Sequence, residues 1–197
     1  MTYCTVEDVR LRSDIDRSDL DSFITQCISA AERKVNSHCG RTFEKSTSAT
    51  QRQFACKDPY LAYVDDFYST SGLIVATDSS GDGTTDTTWT TTNYQLEPLN
   101  GIVNGNDGFP YWKIRAVRSY TFPTTTLRAS LYVTALWGWS AVPDDVQAAT
   151  AMVAAKLVKM KDTPLGVAGI AASGFEIRIR EIPEVVELLS DYVRSRP

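Results

Sequence analysis

The sequence is poor in the residues from which metal sites and catalytic relays are commonly built. It has a single histidine, His38, and four cysteines, Cys4, Cys27, Cys39 and Cys56, no two of which are close in sequence. Structural zinc sites usually take two ligands from a tight pair such as Cys-x-x-Cys. A zinc site from Cys27, His38, Cys39 and Cys56 is therefore a weak hypothesis, and buried, reduced thiols in a cytosolic product are the better interpretation.

Motifs for nucleophilic and nucleotide chemistry are also missing. The sequence contains no Gly-x-Ser-x-Gly and no Gly-x-x-x-x-Gly-Lys-Ser/Thr, and the glycines between positions 98 and 110 do not form a dinucleotide fingerprint. The carboxylate pair Asp65 and Asp66 is adjacent on a predicted strand, so its side chains should point to opposite faces. We expect a solvated turn or strand end there, and no enzymatic activity.

Neither an excess of positive charge nor a long apolar run is present. The 197 residues include 20 Lys and Arg against 24 Asp and Glu, for a net charge of -4, so the chain offers no general attraction to DNA phosphates. The uncharged stretch 163–175 is broken by Pro164 and three glycines and is shorter than the roughly 20 apolar residues of a membrane helix. At 43% hydrophobic and 22% charged residues, the composition is that of a folded globular protein without a membrane partner.

Helical patterns occupy both ends of the chain. Thr5 with Asp8, and Ser18 with Asp21, fit capping boxes, and apolar residues at three- and four-residue steps predict a helix over 19–38 that ends before Gly40. A second long helix should run from Pro143 to about position 161. An alternating segment at 175–180 predicts a strand, and a last helix should begin at 183 with a face of Val186, Leu189, Tyr192 and Val193.

The middle of the chain has short runs rich in β-branched and aromatic residues. Alternation of polar and apolar residues at 113–118 indicates a sheet with one solvated face, for which antiparallel pairing is expected. The predicted class is α+β, a small helical bundle from the terminal segments with a β-rich antiparallel middle. We expect one domain, 1–197, with a helical frame at 1–42 and 142–197 and an insertion at 43–141. The predicted strands are 51–55, 62–66, 73–77, 89–96, 112–120 and 130–137.

One loop carries candidate metal ligands. Asp78, Ser80, Asp82 and Asp86 place oxygen atoms at alternate positions, and Gly83 occupies the position of the sharp turn in a calcium loop. The twelfth position is a tryptophan where an EF-hand has glutamate, which excludes a high-affinity site of that class. The loop is thus either the substitution-tolerant tip of a β-hairpin or a weak calcium site; calcium is the one candidate cofactor.

The order of several short motifs resembles the head-to-tail connector, or adaptor, proteins of long-tailed bacteriophages. Residues 5–9 (Thr-Val-Glu-Asp-Val) precede a helix that ends near 40–43 (Gly-Arg-Thr-Phe). Residues 94–100 (Tyr-Gln-Leu-Glu-Pro-Leu-Asn), then Trp-Gly-Trp at 137–139 and Val-Pro at 142–143 before an alanine-rich helix, are similar to adaptors of actinobacterial phages. The β-rich middle is longer here than in the smallest adaptors.

This resemblance implies a structural virion protein made in the host cytoplasm and located at the head-tail junction. Such a protein forms a ring, usually twelvefold, that binds the portal protein and links the DNA-filled head to the tail or the next neck protein. DNA would pass through the ring without specific binding. The alternatives are another phage neck or tail-completion protein, and a calcium-assisted binding module using the Asp78 loop and the aromatics Tyr111 and Trp112.

The apolar segment 163–175 is the predicted contact with a neighbouring subunit or the portal. Its side chains fit neither a helix face nor strand alternation, yet leaving them in water is unfavourable because each buried aliphatic side chain is worth roughly 1.5 to 3 kcal/mol. The predicted contact residues are Leu165, Val167, Ile170 and Phe175.

Overall fold

The structure is a computed structural model that describes residues 2–15, 17–124, 128–162 and 179–194. The chain divides into a helical unit, Met1–Phe43 with Val142–Pro197, and a sheet unit, Glu44–Ala141. The helices thus come from the two ends of the chain and the strands from its middle. This arrangement confirms the predicted α+β class.

Helix α1, Val6–Ser13, begins with the predicted capping box. The Asp8 amide donates to the Thr5 hydroxyl oxygen at 3.1 Å, and the Thr5 amide donates to the Asp8 carboxylate at 2.8 Å. The hydrogen bonds from the Thr5 side chain and amide hold the pKa of Asp8 below its usual value. Two amide donors at the start of the helix are therefore satisfied by local side chains.

Helix α2, Asp21–Cys39, starts differently from the prediction. Ser18–Leu20 forms a single 3-10 turn, and no side chain caps α2. The second predicted capping box is wrong because the Asp21 carboxylate forms an ion pair with Arg10 of α1. At the other end Gly40 takes a left-handed conformation, as predicted. The predicted apolar stripe is confirmed, with Ile24, Cys27, Ile28, Ala31 and Val35 all buried.

Helix α3, Asp144–Lys159, packs against both preceding helices and against α4, Pro183–Leu189. Its neighbours on several sides explain why Thr150, Ala151 and Ala154 are buried in addition to Val146, Ala149 and Val153. The final helix begins at Pro183 as predicted, but Val185 is buried in place of Val186, and Val193 is exposed. The end of the predicted strand at 175–180 is also wrong, because Ile179–Glu181 forms a helical turn; the rest lies outside the described residues.

The strands are β1 Thr50–Phe54, β2 Leu61–Thr77, β3 Thr87–Trp89, β4 Tyr94–Glu97, β5 Tyr111–Ala116 and β6 Leu131–Trp137. They form a sheet that is antiparallel throughout, as predicted, with the order β1-β6-β2-β5-β4 and with β3 paired to β2. The predicted strands at 62–66 and 73–77 form one strand of 17 residues, and the one at 89–96 is split into two.

Strand β2 is long because it changes partners along its length. Its first residues pair with β5, its last residues pair with β3 and β6, and Phe67 pairs with both Tyr111 and Trp137. Three register shifts allow this change: they lie between Tyr63 and Phe67, between Phe67 and Ser69, and between Ser69 and Ile74. Pairing with β6 therefore continues β2 through the region where the sequence pattern predicts a break between two strands.

The core of the sheet unit is aromatic and aliphatic. Trp89 stacks on Phe122 with ring centroids 4.7 Å apart, and Phe67 meets Trp137 edge to face at 6.1 Å. These rings pack with a buried aliphatic cluster from β2, β5 and β6. Its aliphatic members include Val64, Val75, Ile114, Leu131 and Val133.

The Trp-Gly-Trp motif joins three parts of the sheet unit. The Gly138 amide donates to the Asp66 carbonyl at 2.6 Å, and the Trp139 amide donates to the Glu44 carbonyl at 3.2 Å. The Trp139 indole also donates to the Asp66 carboxylate at 3.2 Å. Asp66 is 6% exposed, so the prediction of a solvated position there is wrong; Asp65, its neighbour, instead pairs with Arg52 at 2.7 Å.

No helix among the described residues combines the length and the apolar character that crossing a membrane requires.

Gly138 should not tolerate a side chain. An added Cβ would lie 1.6 Å from the Glu44 carbonyl oxygen, and φ is +96°. We expect Gly138→Ala to lower the free energy of unfolding by at least about 3 kcal/mol in chemical denaturation. Gly105→Ala is the control, because φ there is +86° and the space around the added Cβ is open. It should cost about 1 to 2 kcal/mol. Equal costs for the two variants would contradict the steric argument.

Candidate functional site

The Asp78 loop is the tip of the hairpin between β2 and β3. Thr77 pairs with Thr87, and the Asp86 amide donates to the Thr77 carbonyl at 2.9 Å, which closes the loop. The predicted hairpin is thereby confirmed.

Asp78 itself is a buried acceptor. Its carboxylate accepts hydrogen bonds from the Gly81 amide at 2.6 Å, the Gly83 amide at 2.8 Å and the Ser80 hydroxyl at 3.1 Å. Burial acts to raise the pKa of Asp78, but the hydrogen bonds from Gly83 and Gly81 outweigh it, so the pKa lies below its usual value. Asp78 therefore organises the loop as an anion, and we expect substitution to be tolerated less well at this residue than elsewhere in the tip.

The other two carboxylates of the loop have separate partners. Asp82 accepts from the amide and hydroxyl of Thr84, at 2.8 and 2.5 Å, and Asp86 accepts from the amide and hydroxyl of Ser79, at 2.7 and 2.5 Å. Within the described residues, no group of three or more His, Cys, Asp and Glu is arranged to hold a metal ion. Calcium at this loop stays a prediction, and binding would have to replace these internal donors.

The contact residues predicted in the apolar segment, Leu165, Val167, Ile170 and Phe175, lie outside the described residues. Their role at a subunit or portal contact stays a prediction.

The aromatics considered for a binding module are packed within the sheet unit. Tyr111 lies against Phe67 with ring centroids 5.5 Å apart, and Trp112 lies near Phe109 at 6.4 Å. Both side chains are half-buried. Both aromatic side chains therefore contribute to packing within the sheet unit.

All four cysteines are buried free thiols, as predicted. Burial raises the pKa of Cys4 and Cys39 to about 12 and that of Cys27 and Cys56 to about 11. The thiolate form, which is the nucleophile and the metal ligand, is therefore strongly disfavoured. Burial, followed by the charge of Arg180, lowers the pKa of His38.

The exposed aliphatic residues include three that sequence reasoning missed. Leu11 on α1 is 76% exposed, and Leu99 and Ile102 are 57% and 48% exposed in the connection from β4 to β5. That connection is ordered by hydrogen bonds between Val103 and Asn106, and by the Phe109 amide donating to Gly101. The sequence does contain a signal for two of them. Leu99 and Ile102 lie in a loop rich in glycine and asparagine, where no strand places apolar side chains in the core.

The helical unit carries two open grooves of opposite charge. The first, the acidic groove, has a volume of about 410 Å³ and lies between the start of α3 and α4; it is lined by Asp145, Glu184, Glu187, Leu188, Ser190 and Asp191. The second, the basic groove, has a volume of about 370 Å³ and lies between α1 and the end of α3; it is lined by Arg12, Met152, Ala155, Lys156 and Lys159. The local sequence pattern pairs Lys156 with Lys159 and Glu184 with Glu187, but it does not show which residues of other helices complete each groove.

Two solved structures share this fold over nearly the whole chain. One is a chain from the neck of an empty gene transfer agent (GTA) particle computed with C6 symmetry, with a TM-score of 0.52, 16% identity, and coverage of 98% of this chain and 90% of that chain. The other is from the neck of a native GTA particle computed with C12 symmetry, with a TM-score of 0.51, 14% identity, and coverage of 100% and 96%. No protein-family model and no curated protein matches the sequence. The likeness is one of fold.

We expect Asp78→Ala to lower the melting temperature clearly more than Asp82→Ala. The first change leaves the amides of Gly81 and Gly83 without their acceptor, whereas the second removes an exposed carboxylate bonded only within its own turn. Thermal denaturation followed by circular dichroism measures both. Equal shifts for the two variants would show that the buried carboxylate does not organise the loop.

Calcium provides a separate test of the loop. Because each carboxylate accepts internal hydrogen bonds, we expect millimolar calcium to leave the melting temperature of the wild-type protein unchanged. Magnesium at the same concentration is the control for ionic strength. A rise with calcium that is absent from Asp78→Ala would establish the calcium site in place of the simple hairpin.

Proposed function

We propose that this protein is a structural component of the neck of a phage-like particle, acting as a head-to-tail adaptor without a catalytic step. The observation that carries the proposal is the likeness of fold to two neck chains, which extends over 98% and 100% of this chain and so includes both the helical and the sheet unit. The adaptor-like motifs at 5–9, 94–100 and 137–143 support the same role. Their similarity to actinobacterial phage adaptors favours a phage of that group.

The proposed assembly is a ring of identical copies. Both neighbouring structures come from necks computed with cyclic symmetry, C6 in one and C12 in the other, and a twelvefold ring satisfies both. A ring requires each copy to present two different surfaces, one to each neighbour. The two charged grooves and the exposed aliphatic residues provide surfaces for such contacts.

The proposed partners are the portal protein on one side of the ring and a downstream neck or tail protein on the other. The mature location is the head-tail junction of the virion, after synthesis in the host cytoplasm. A net charge of -4 supports passage of DNA through the ring without specific binding, because few phosphates would be neutralised. Four buried thiols are in keeping with synthesis in a reducing compartment.

A second candidate is another protein of the neck or of tail completion. The neighbouring chains are described by their location in the neck, and that description fits more than one layer of it. Binding to portal separates the two candidates, since an adaptor contacts portal directly.

We expect the purified protein to form a ring, alone or on its portal. Twelve copies of a 21.8-kDa chain weigh about 260 kDa, which mass photometry separates from the monomer. Negative-stain electron microscopy of the mixture with portal should show an added density ring with twelvefold symmetry. A protein that stays monomeric alone and with portal would contradict the adaptor proposal, and a ring that forms but does not bind portal would favour the second candidate.

A further inference from the structure

The acidic groove combines charges from two helices. Asp145 lies in the first turn of α3, and Glu184 and Glu187 lie three positions apart on α4; all three are exposed. The Tyr192 hydroxyl donates to the Asp145 carboxylate at 3.3 Å, which joins the turn after α4 to the start of α3. The groove is thus a fixed feature of helix packing.

The basic groove combines charges from the end of α1 and the end of α3. Arg12 lies in the last turn of α1, and Lys156 and Lys159 lie in the last turn of α3. Met152 and Ala155 supply an apolar floor between them. No ion pair between described residues includes Lys156, Lys159, Glu184 or Glu187.

The two grooves lie at opposite ends of one side of α3. Asp145 and Lys159 are 14 positions apart, or about 21 Å along a helix that rises 1.5 Å per residue. At 100° per residue, Asp145 and Lys156 differ by only about 20° around the helix axis. One copy therefore presents negative charge at one end of a helix side and positive charge at the other.

We infer that the acidic groove of one copy binds the basic groove of the next copy around the ring. This inference rests on the proposed ring, which requires a head-to-tail interface between two different surfaces. Each groove alone holds charges of one sign, which repel a like surface and attract the opposite one. A neighbouring copy supplies the opposite charge, together with Met152 and Leu188 as apolar contacts at the two floors.

Two charge-reversed variants test the interface. Lys156→Glu with Lys159→Glu makes the basic groove acidic, and Glu184→Lys with Glu187→Lys makes the acidic groove basic. Each variant alone should associate on the order of tenfold or more weakly than wild type, because like charges would face each other. Arg33→Glu with Lys57→Glu is the matched control: it changes the net charge as the lysine variant does, at exposed residues outside both grooves, and should leave assembly unchanged.

Mixing the two variants is the decisive step. In an equimolar mixture every contact again joins opposite charges, so alternating rings of wild-type mass should form, as measured by mass photometry and native mass spectrometry. Raising the salt concentration should weaken these rings, because exposed charges are screened beyond about 8 Å at physiological ionic strength. Circular dichroism of each variant checks that the monomer is folded; if one is not, Lys→Gln and Glu→Gln at the same positions provide a milder pair.

The outcomes separate this inference from the proposed function. A wild-type protein that forms no ring, alone or on portal, overturns both. Rings from wild type and from each separate variant with equal affinity overturn the inference and leave the adaptor proposal intact. A mixture that stays monomeric, or that stops at a two-subunit complex, also overturns the head-to-tail interface. Reassembly of the mixture alone, with the control unaffected, supports it.

Discussion

The sheet unit depends on the close approach of the Gly138 backbone to Glu44. A side chain at position 138 would overlap the Glu44 carbonyl oxygen, so this contact exists only with glycine there. Around it the Gly138 amide reaches the Asp66 carbonyl, the Trp139 amide reaches Glu44, and the Trp139 indole reaches the Asp66 carboxylate. The end of β6, the middle of β2 and the segment before β1 therefore meet at one point, next to Phe67, where β2 exchanges one partner strand for another.

The helices were largely predictable from sequence because their determinants are local. The capping box of Thr5 and the apolar stripe of α2 depend on spacings of three and four residues, and both are present in the structure. The failures arose where a distant residue intervenes. Arg10 engages the Asp21 carboxylate that the second capping box would have used, and pairing with β6 carries β2 through a region that reads as a break. Asp66 was misjudged for the same reason, since its partner Trp139 is 73 positions away.

The candidate sites likewise differ in whether they depend on local spacing or on contacts between distant residues. The spacing of Asp78, Asp82 and Asp86 identified an oxygen-rich loop, but the sequence could not show that Asp78 is buried and that amides of the loop itself occupy its carboxylate. The charged grooves could not be found by motif at all. Arg12 and Lys156 line one groove, and Asp145 and Glu184 line the other, only because α1 and α4 pack on α3 from distant parts of the chain.

The composition of the grooves assigns different tasks to charge and to apolar surface in the proposed ring. An exposed ion pair contributes about 0.2 to 1 kcal/mol and is weakened by salt, so the lysines and glutamates alone would hold two copies poorly. Their opposite signs instead determine which grooves meet, because a contact between two like grooves would bring like charges together. Most of the association energy then comes from burying apolar atoms such as those of Met152 and Leu188. Ring closure adds to this, because the last copy makes two contacts while losing its free motion once. Interfaces too weak to hold a dimer in solution are thereby sufficient for a closed ring on a symmetric platform.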